Sequence, residues 1–456
     1  MELSHNKNFG KFFIKTGVYL FTSTFFFGLL AGLQYLIPGI GRDLFSFEKL
    51  RPLHVSSAVF WILMTATGAV LTYLSDGKVQ SSLQKRMMKG QYFLFTFSFI
   101  AILISYCFGI FGGREYWEFN PWFSIPIVLA WILFIIQIFS YVKTIKQQPV
   151  YSWMWFTGGL FFLFTYLESN LWLLPGFRNN LIKDMTIQWK SYGSMVGSWN
   201  MLVYGASFYL MDKISGNTKY SYSKIGFLLY CLSLFNLMFN WGHHVYTLPT
   251  APYVKHIAYI VSMTELLIFG RILMNWNKSL DEARKFLHIQ SYRFLFAADF
   301  WVFFNLGFAI LMSIPALNVY MHGTHVIVGH TMGTTIGINS MLLLAFAYDI
   351  LNPESVKSVS FNRYLKKITW ITNIALAVFL LALFISGFLK AYWIFNEPDI
   401  PYGTIMFRLR YWFYVFFAAG SVLAIGLFLL LLPLMKVKLK KSRLSFFKDS
   451  QETRNF

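Results

Sequence analysis

The sequence predicts an all-α, polytopic membrane protein, a bundle of twelve transmembrane helices, and two observations predict it. Hydrophobic residues make up 56% of the 456 residues and charged residues only 13%, an apolar excess beyond that of a soluble domain. The excess is also gathered into twelve windows of about 20 residues, the length that crosses ~30 Å of hydrocarbon. These windows run over 15–39, 52–75, 91–113, 121–143, 154–176, 189–212, 223–248, 253–275, 293–315, 320–350, 367–394 and 407–434. All connections between them are short, so one membrane domain is expected over residues 1–456, closing in a basic tail over 435–456.

The first window follows Lys7, Lys11 and Lys15. Its apolar run is longer than a signal-peptide core and has no small-residue cleavage pattern before Gln34, so it reads as a retained helix. The loops then set the direction of every later crossing. Segments 2 and 3 are joined through Lys78, Lys85, Arg86 and Lys89, segments 4 and 5 through Lys143 and Lys146, and segments 6 and 7 through Lys213, Lys219 and Lys224. The same side carries Lys278, Arg284 and Lys285, then Lys357, Arg363, Lys366 and Lys367, then the tail from Lys436 to Arg454. The opposite loops are poor in Lys and Arg, which places both termini in the cytoplasm and the chain in the cell inner membrane. This distribution also accounts for the net charge of +20 without nucleic acid as a partner; the partner is the lipid bilayer.

Several chemistries are excluded. Cys107 and Cys231 each stand alone in an apolar run, so they read as core residues rather than a disulfide framework or zinc site. Gly39 and Gly41 in PGIG lack the strand, third glycine and acidic residue of a dinucleotide fingerprint, and neither a phosphate loop nor GxSxG is present. The carboxylates are too few for a glycosidase-like pair.

The histidines point elsewhere. His322, His325 and His330 lie in a stretch with no charged residue between Asp299 and Asp349. An intramembrane imidazole is costly unless something polar or metallic binds it, and haem iron is the candidate partner. Counting at about 1.5 Å per residue puts His54 at the outer start of segment 2 and the pair His243 and His244 near the outer end of segment 7. His330 falls roughly ten residues into segment 10 from outside, and Glu265 reaches a similar or slightly greater depth. Imidazoles from three segments thus converge on the outer half of the membrane. Adjacent helix residues point about 100° apart, so His243 and His244 serve one packing purpose poorly and one metal ion near a helix end well. Imidazole suits iron, copper or zinc.

These residues carry a resemblance. RPLHVSSAVFWIL, GHH, SMTELLIFG and IPALNVYMHGTHVIVGH together resemble the catalytic subunit I of the haem-copper oxidase superfamily, and are most similar to its nitric oxide reductase branch. The resemblance covers nearly the whole chain and implies the family's twelve-helix bundle. It implies His54 as an axial ligand of a low-spin haem b, with Arg51 near the haem propionates. It implies His330 as the proximal ligand of a high-spin haem b, and His243 and His244 as ligands of a distal metal. The glutamate of SMTELLIFG, Glu265, matches one that lies near the distal iron in the reductases.

Two departures follow. Where the family has a second low-spin ligand two residues after the proximal histidine, this chain has Met332; a His/Met haem on His54 and Met332 is implied, with His325 as the alternative. QWKSYGSMVGSWNMLVYG resembles segment 6 in its tryptophan and glycine positions but lacks the usual histidine and glutamate. Tyr192, Gly193 or Ser194 stands at the first position and Val196 or Gly197 at the second. The expected distal set is therefore His243, His244 and Glu265, a two-histidine, one-carboxylate arrangement that suits non-haem iron over copper. The implied activity is reduction of nitric oxide to nitrous oxide, with Glu265, His243 and His244 as the catalytic groups. Oxygen reduction by a terminal oxidase, nitric oxide dismutation and a non-catalytic haem-binding electron-transfer subunit are the alternatives. No CxxCH motif is present, so electrons for the gaseous substrate come from a donor on the outer face: a cytochrome c subunit, a soluble cytochrome or cupredoxin, or quinol.

Overall fold

The computed structural model describes residues 9–142, 144–246, 248–353 and 358–439, with backbone alone at 262 and 263. Most of the tail expected over 435–456 lies outside the described residues. Twelve long helices follow one another: α1 Gly10–Leu36, α2 Phe47–Leu74, α3 Ser82–Cys107, α4 Ser124–Tyr141, α5 Val150–Glu168, α6 Leu181–Ser215, α7 Lys224–Phe239, α8 Pro252–Ser279, α9 Ile289–Ser313, α10 His325–Leu351, α11 Val359–Asn396 and α12 Tyr402–Lys436. Among the described residues, ten helices are long and apolar enough to cross a membrane. The other two are α5, rich in Trp, Tyr and Gly, and α6, which carries Lys183, Asp184 and Lys190 in its first turns.

Each expected window overlaps one of these helices; several helices begin earlier than expected, while α3, α5 and α7 end at Cys107, Glu168 and Phe239, before their windows do. α6 begins at Leu181 rather than 189, where Asn180 accepts a hydrogen bond from the Lys183 amide and caps the helix. α1 lies along α2, α5 along α6 and α11 along α12, while α10 runs beside α2, α6 and α9. The C-terminal half of α10 is apolar on every face and is buried from Met341 to Tyr348, as a central helix must be. Lys15 donates to the Val437 carbonyl at 2.6 Å, so the start of α1 and the end of α12 meet at one face of the bundle.

Two helices depart from regular winding, and both carry the histidines. The α-helix of α7 stops at Phe239 and continues as a 3₁₀ turn over Asn240–Val245. The single segment expected over 320–350 is instead a short helix, Pro315–Met321, a break, and then α10. Gly323 turns the chain at φ 73°, and Thr324 accepts from the Val326 amide to start α10. Directly after His330 and Met332, residues Gly333–Ser340 wind as a π-helix, a form concentrated at functional sites.

Candidate metal centre

The His54 ring is anchored from α1. Its Nδ1–H donates to the Thr24 carbonyl at 2.8 Å, and a Cβ added to Gly28 would stand 2.7 Å from that nitrogen. The bond fixes the tautomer and leaves Nε2 for a metal.

The 3₁₀ turn at the end of α7 sets His243 and His244 side by side, with ring centroids 4.1 Å apart. Trp189 of α6 lies flat on His244, at 5.5 Å and 12°. His330 of α10 lies within electrostatic range of both rings. Among the described residues, the Nδ1 atom of His330 is buried without a hydrogen-bond partner. A buried polar atom left unpaired is costly, so an imidazole orphaned in this way fits a metal ligand. His325 has the same orphaned Nδ1 and stands edge-on to Phe413 at 5.4 Å and Tyr35 at 6.4 Å. Met332, the last residue before the π-helix, is partly buried against the core. It points roughly 200° around α10 from His330.

Two of the expected site residues have partners of their own within the chain. Glu265, only 3% exposed, does not join the imidazole pair. Ser233 donates to its Oε1 at 2.7 Å and the Asn236 amide donates to its Oε2, about 10 Å along α7 from His243. Among the described residues, no three His, Cys, Asp or Glu side chains are drawn together to hold a metal ion. Arg51 also has partners within the chain. It is engaged by Glu115 at 2.6 Å and Glu118 at 2.8 Å, both from the loop between α3 and α4.

The segment 6 departure has a structural reason. A Cβ on Gly193 would meet Trp241 at 2.8 Å, and a Cβ on Gly197 would meet Leu237 at 2.9 Å. α6 and α7 are therefore in backbone contact where the family has side chains. Gly193→His is expected not to add a ligand but to force the helices apart, lowering stability by about 1–3 kcal/mol. A thermal midpoint in detergent equal to the wild type would contradict this.

Burial raises the Glu118 carboxyl above its usual 4.5, and Arg51 only partly offsets the shift. The sign follows from linkage. The contribution of this group is fully present below 4.5 and is lost as pH rises through the raised folded value. Glu118→Gln is expected to flatten that slope in a denaturation series across the window.

Sequence reasoning passed over Trp189 as a contact of the site, although its place at the start of segment 6 was the available signal. It also passed over Asp299, 9% exposed on α9 with a buried Oδ1 unpartnered among the described residues; a lone carboxylate in an apolar run gives no signal of its surroundings.

A helical membrane bundle that carries buried imidazoles at the end of α7 and on α10, with another on α2, has side chains of the kind that ligate haem or metal. The comparisons give the family: residues 8–423 match the model for Cytochrome C and Quinol oxidase polypeptide I, and the chain belongs to that family, subunit I of the haem-copper oxidase superfamily. It is 22% identical over 389 residues to cytochrome c oxidase subunit 1 of Rhodobacter capsulatus, covering 77% of this chain and 68% of that one. Identity is 21% to the Cbb3-type cytochrome c oxidase subunit CcoN1 of Stutzerimonas stutzeri, covering 79% and 78%. It is likewise 21% to a nitric oxide reductase subunit of the same organism, covering 71% of each chain. The fold is similar to that of a solved heme-copper terminal oxidase dimer, with a TM-score of 0.70 at 15% identity, over 94% of this chain and 86% of that one. Members of the family are oxidoreductases that bind haems and a copper or iron site, work in a membrane and take electrons from cytochrome c or quinol.

Proposed function

We propose that the chain reduces nitric oxide to nitrous oxide: two nitric oxide molecules, two electrons and two protons give nitrous oxide and water. His330 would hold a high-spin haem b, His243 and His244 a non-haem iron, and His54 together with Met332 or His325 a low-spin haem b. When bound, these groups would pass electrons from the external donor to the bound gas. The chain's own residues supply the orientation of His244 through Trp189 and a buried carboxylate. Glu265 would carry a proton roughly two to three helical turns from the imidazole pair, where Ser233 and Asn236 fix it.

The buried Glu265 carries this reading, because it sits on the helix that follows the imidazole pair and bonds back to the pair's own helix. The relative named as a nitric oxide reductase supports it. Oxygen reduction is the second reading, favoured by the relatives named as oxidases. Against it, Ser233 to Trp241 contains no tyrosine, and α6 offers no histidine. The charge of the loops supports cytoplasmic termini and an electron donor on the outer face, a cytochrome c, a cupredoxin or quinol.

The test is gas consumption by purified, haem-loaded protein with an artificial electron donor. Nitric oxide uptake with nitrous oxide release is expected. Oxygen uptake alone would replace the reading by the oxidase one, release of nitrogen and oxygen by dismutation, and no turnover at full haem content by an electron-transfer role.

A further inference from the structure

We infer that Tyr116, in the loop between α3 and α4, is a positioning residue for the imidazole pair, an inference that rests on His243 and His244 holding a metal. The loop folds into a strap. The Gly112 and Gly113 amides donate to the Glu118 carbonyl at 2.9 and 3.0 Å, and Arg114 and Trp117 exchange backbone hydrogen bonds at 3.2 and 2.9 Å. A Cβ on Gly113 would come within 1.9 Å of the Trp117 carbonyl oxygen, so the strap closes this tightly only around glycine. The turn leaves Glu115 and Tyr116 at its tip, with Tyr116 at φ 70°. That position normally takes Gly or Asn, because a Cβ is strained there. A bulky residue held in left-handed backbone points to a task for its side chain.

The contacts of the ring say what the task is. Tyr116 stands edge-on to Tyr192 at 5.6 Å and to Trp189 at 6.4 Å, and Trp189 lies flat on His244. The strap is pinned at both ends. Arg51, one helical turn before His54, holds Glu115 and Glu118, while Arg114 holds Asp184 of α6 at 2.7 Å. The ring of Tyr116 thus fixes the indole, the indole fixes the plane of the imidazole, and the plane fixes the direction of the ligating nitrogen. α6 contributes to the metal centre through this stack rather than through a ligand.

The test uses the purified holoprotein and variants Tyr116→Gly, Tyr116→Asn and Tyr116→Phe. Gly and Asn both accept a positive φ, so the strap keeps its backbone while losing the ring. Metal affinity at the second site, titrated with iron(II), is expected to weaken about tenfold in both. The stretching band of carbon monoxide on the haem of His330 is expected to split into several components in both. Phe is expected to restore affinity and a single band, since the ring edge and not the hydroxyl makes the contacts. Wild-type affinity and a single band in the Gly and Asn variants would overturn the inference. His244→Ala separates the two levels of the argument. Loss of the second metal there with no change in the Tyr116 variants sinks the strap alone, whereas a retained second metal sinks the reading beneath it.

Discussion

His330→Ala is expected to carry about half the haem of the wild-type protein and to consume neither nitric oxide nor oxygen. The argument is one of unequal anchorage. The His330 side chain has a buried nitrogen without a partner among the described residues, which fits a ligand role, and an alanine there leaves an apolar wall. His54 is held independently, from α1 through the Thr24 carbonyl, on a helix packed along its whole length. The low-spin haem is expected to stay. The backbone of α10 is also expected to keep its winding, since Thr334 bonds the His330 carbonyl rather than its ring. A reduced-minus-oxidised spectrum would keep the low-spin band and lose the signal that responds to carbon monoxide. Retention of both haems in His330→Ala would mean that the proximal ligand has been assigned to the wrong imidazole.

What the chain spells out and what it hides divide along a physical line. Length and hydropathy are local, so all twelve crossings are legible, and even the polar start of α6 is missed only because Lys183 to Lys190 lie where no apolar run marks them. The identity of the imidazoles is legible for the same reason: a histidine in a charge-free run needs a partner wherever the rest of the chain goes. Partners from distant segments are not legible. Nothing around Arg51 announces that Glu115 and Glu118 will engage it across more than sixty residues, and nothing in SMTELLIFG announces Ser233 and Asn236. The π-helix is hidden too, because it depends on tight packing from α9. A Cβ on Gly333 would fall 2.2 Å from Asn305 Oδ1, and one on Gly337 would fall 2.7 Å from Trp301. The glycines of α6 were visible as departures from a pattern, but only the contact with Trp241 and Leu237 shows that they close the site rather than leave it open.

Glu265 separates structure from chemistry most sharply, because glutamine can satisfy its surroundings and alanine cannot. In the wild-type protein the carboxylate accepts from both Ser233 and Asn236, and the Asn236 Oδ1 is left buried without a partner among the described residues. In Glu265→Gln the Asn236 amide can rotate to present that oxygen to the new amide, while Ser233 still donates to the glutamine carbonyl. The Asn236 amide nitrogen then takes the unpaired place its oxygen had, so no further buried group is stranded and the variant is expected to fold and bind haem as the wild type does. Glu265→Ala instead strands two buried groups and is expected to lose about 1–3 kcal/mol of stability. An amide holds no transferable proton, so nitric oxide turnover in Glu265→Gln is expected to fall by about 10²–10⁴-fold. Thermal midpoint, haem content and turnover measured on the same preparations check the prediction. If Glu265→Gln keeps wild-type turnover, the carboxylate is only a brace between α7 and α8, and the proton must reach the imidazole pair by another route.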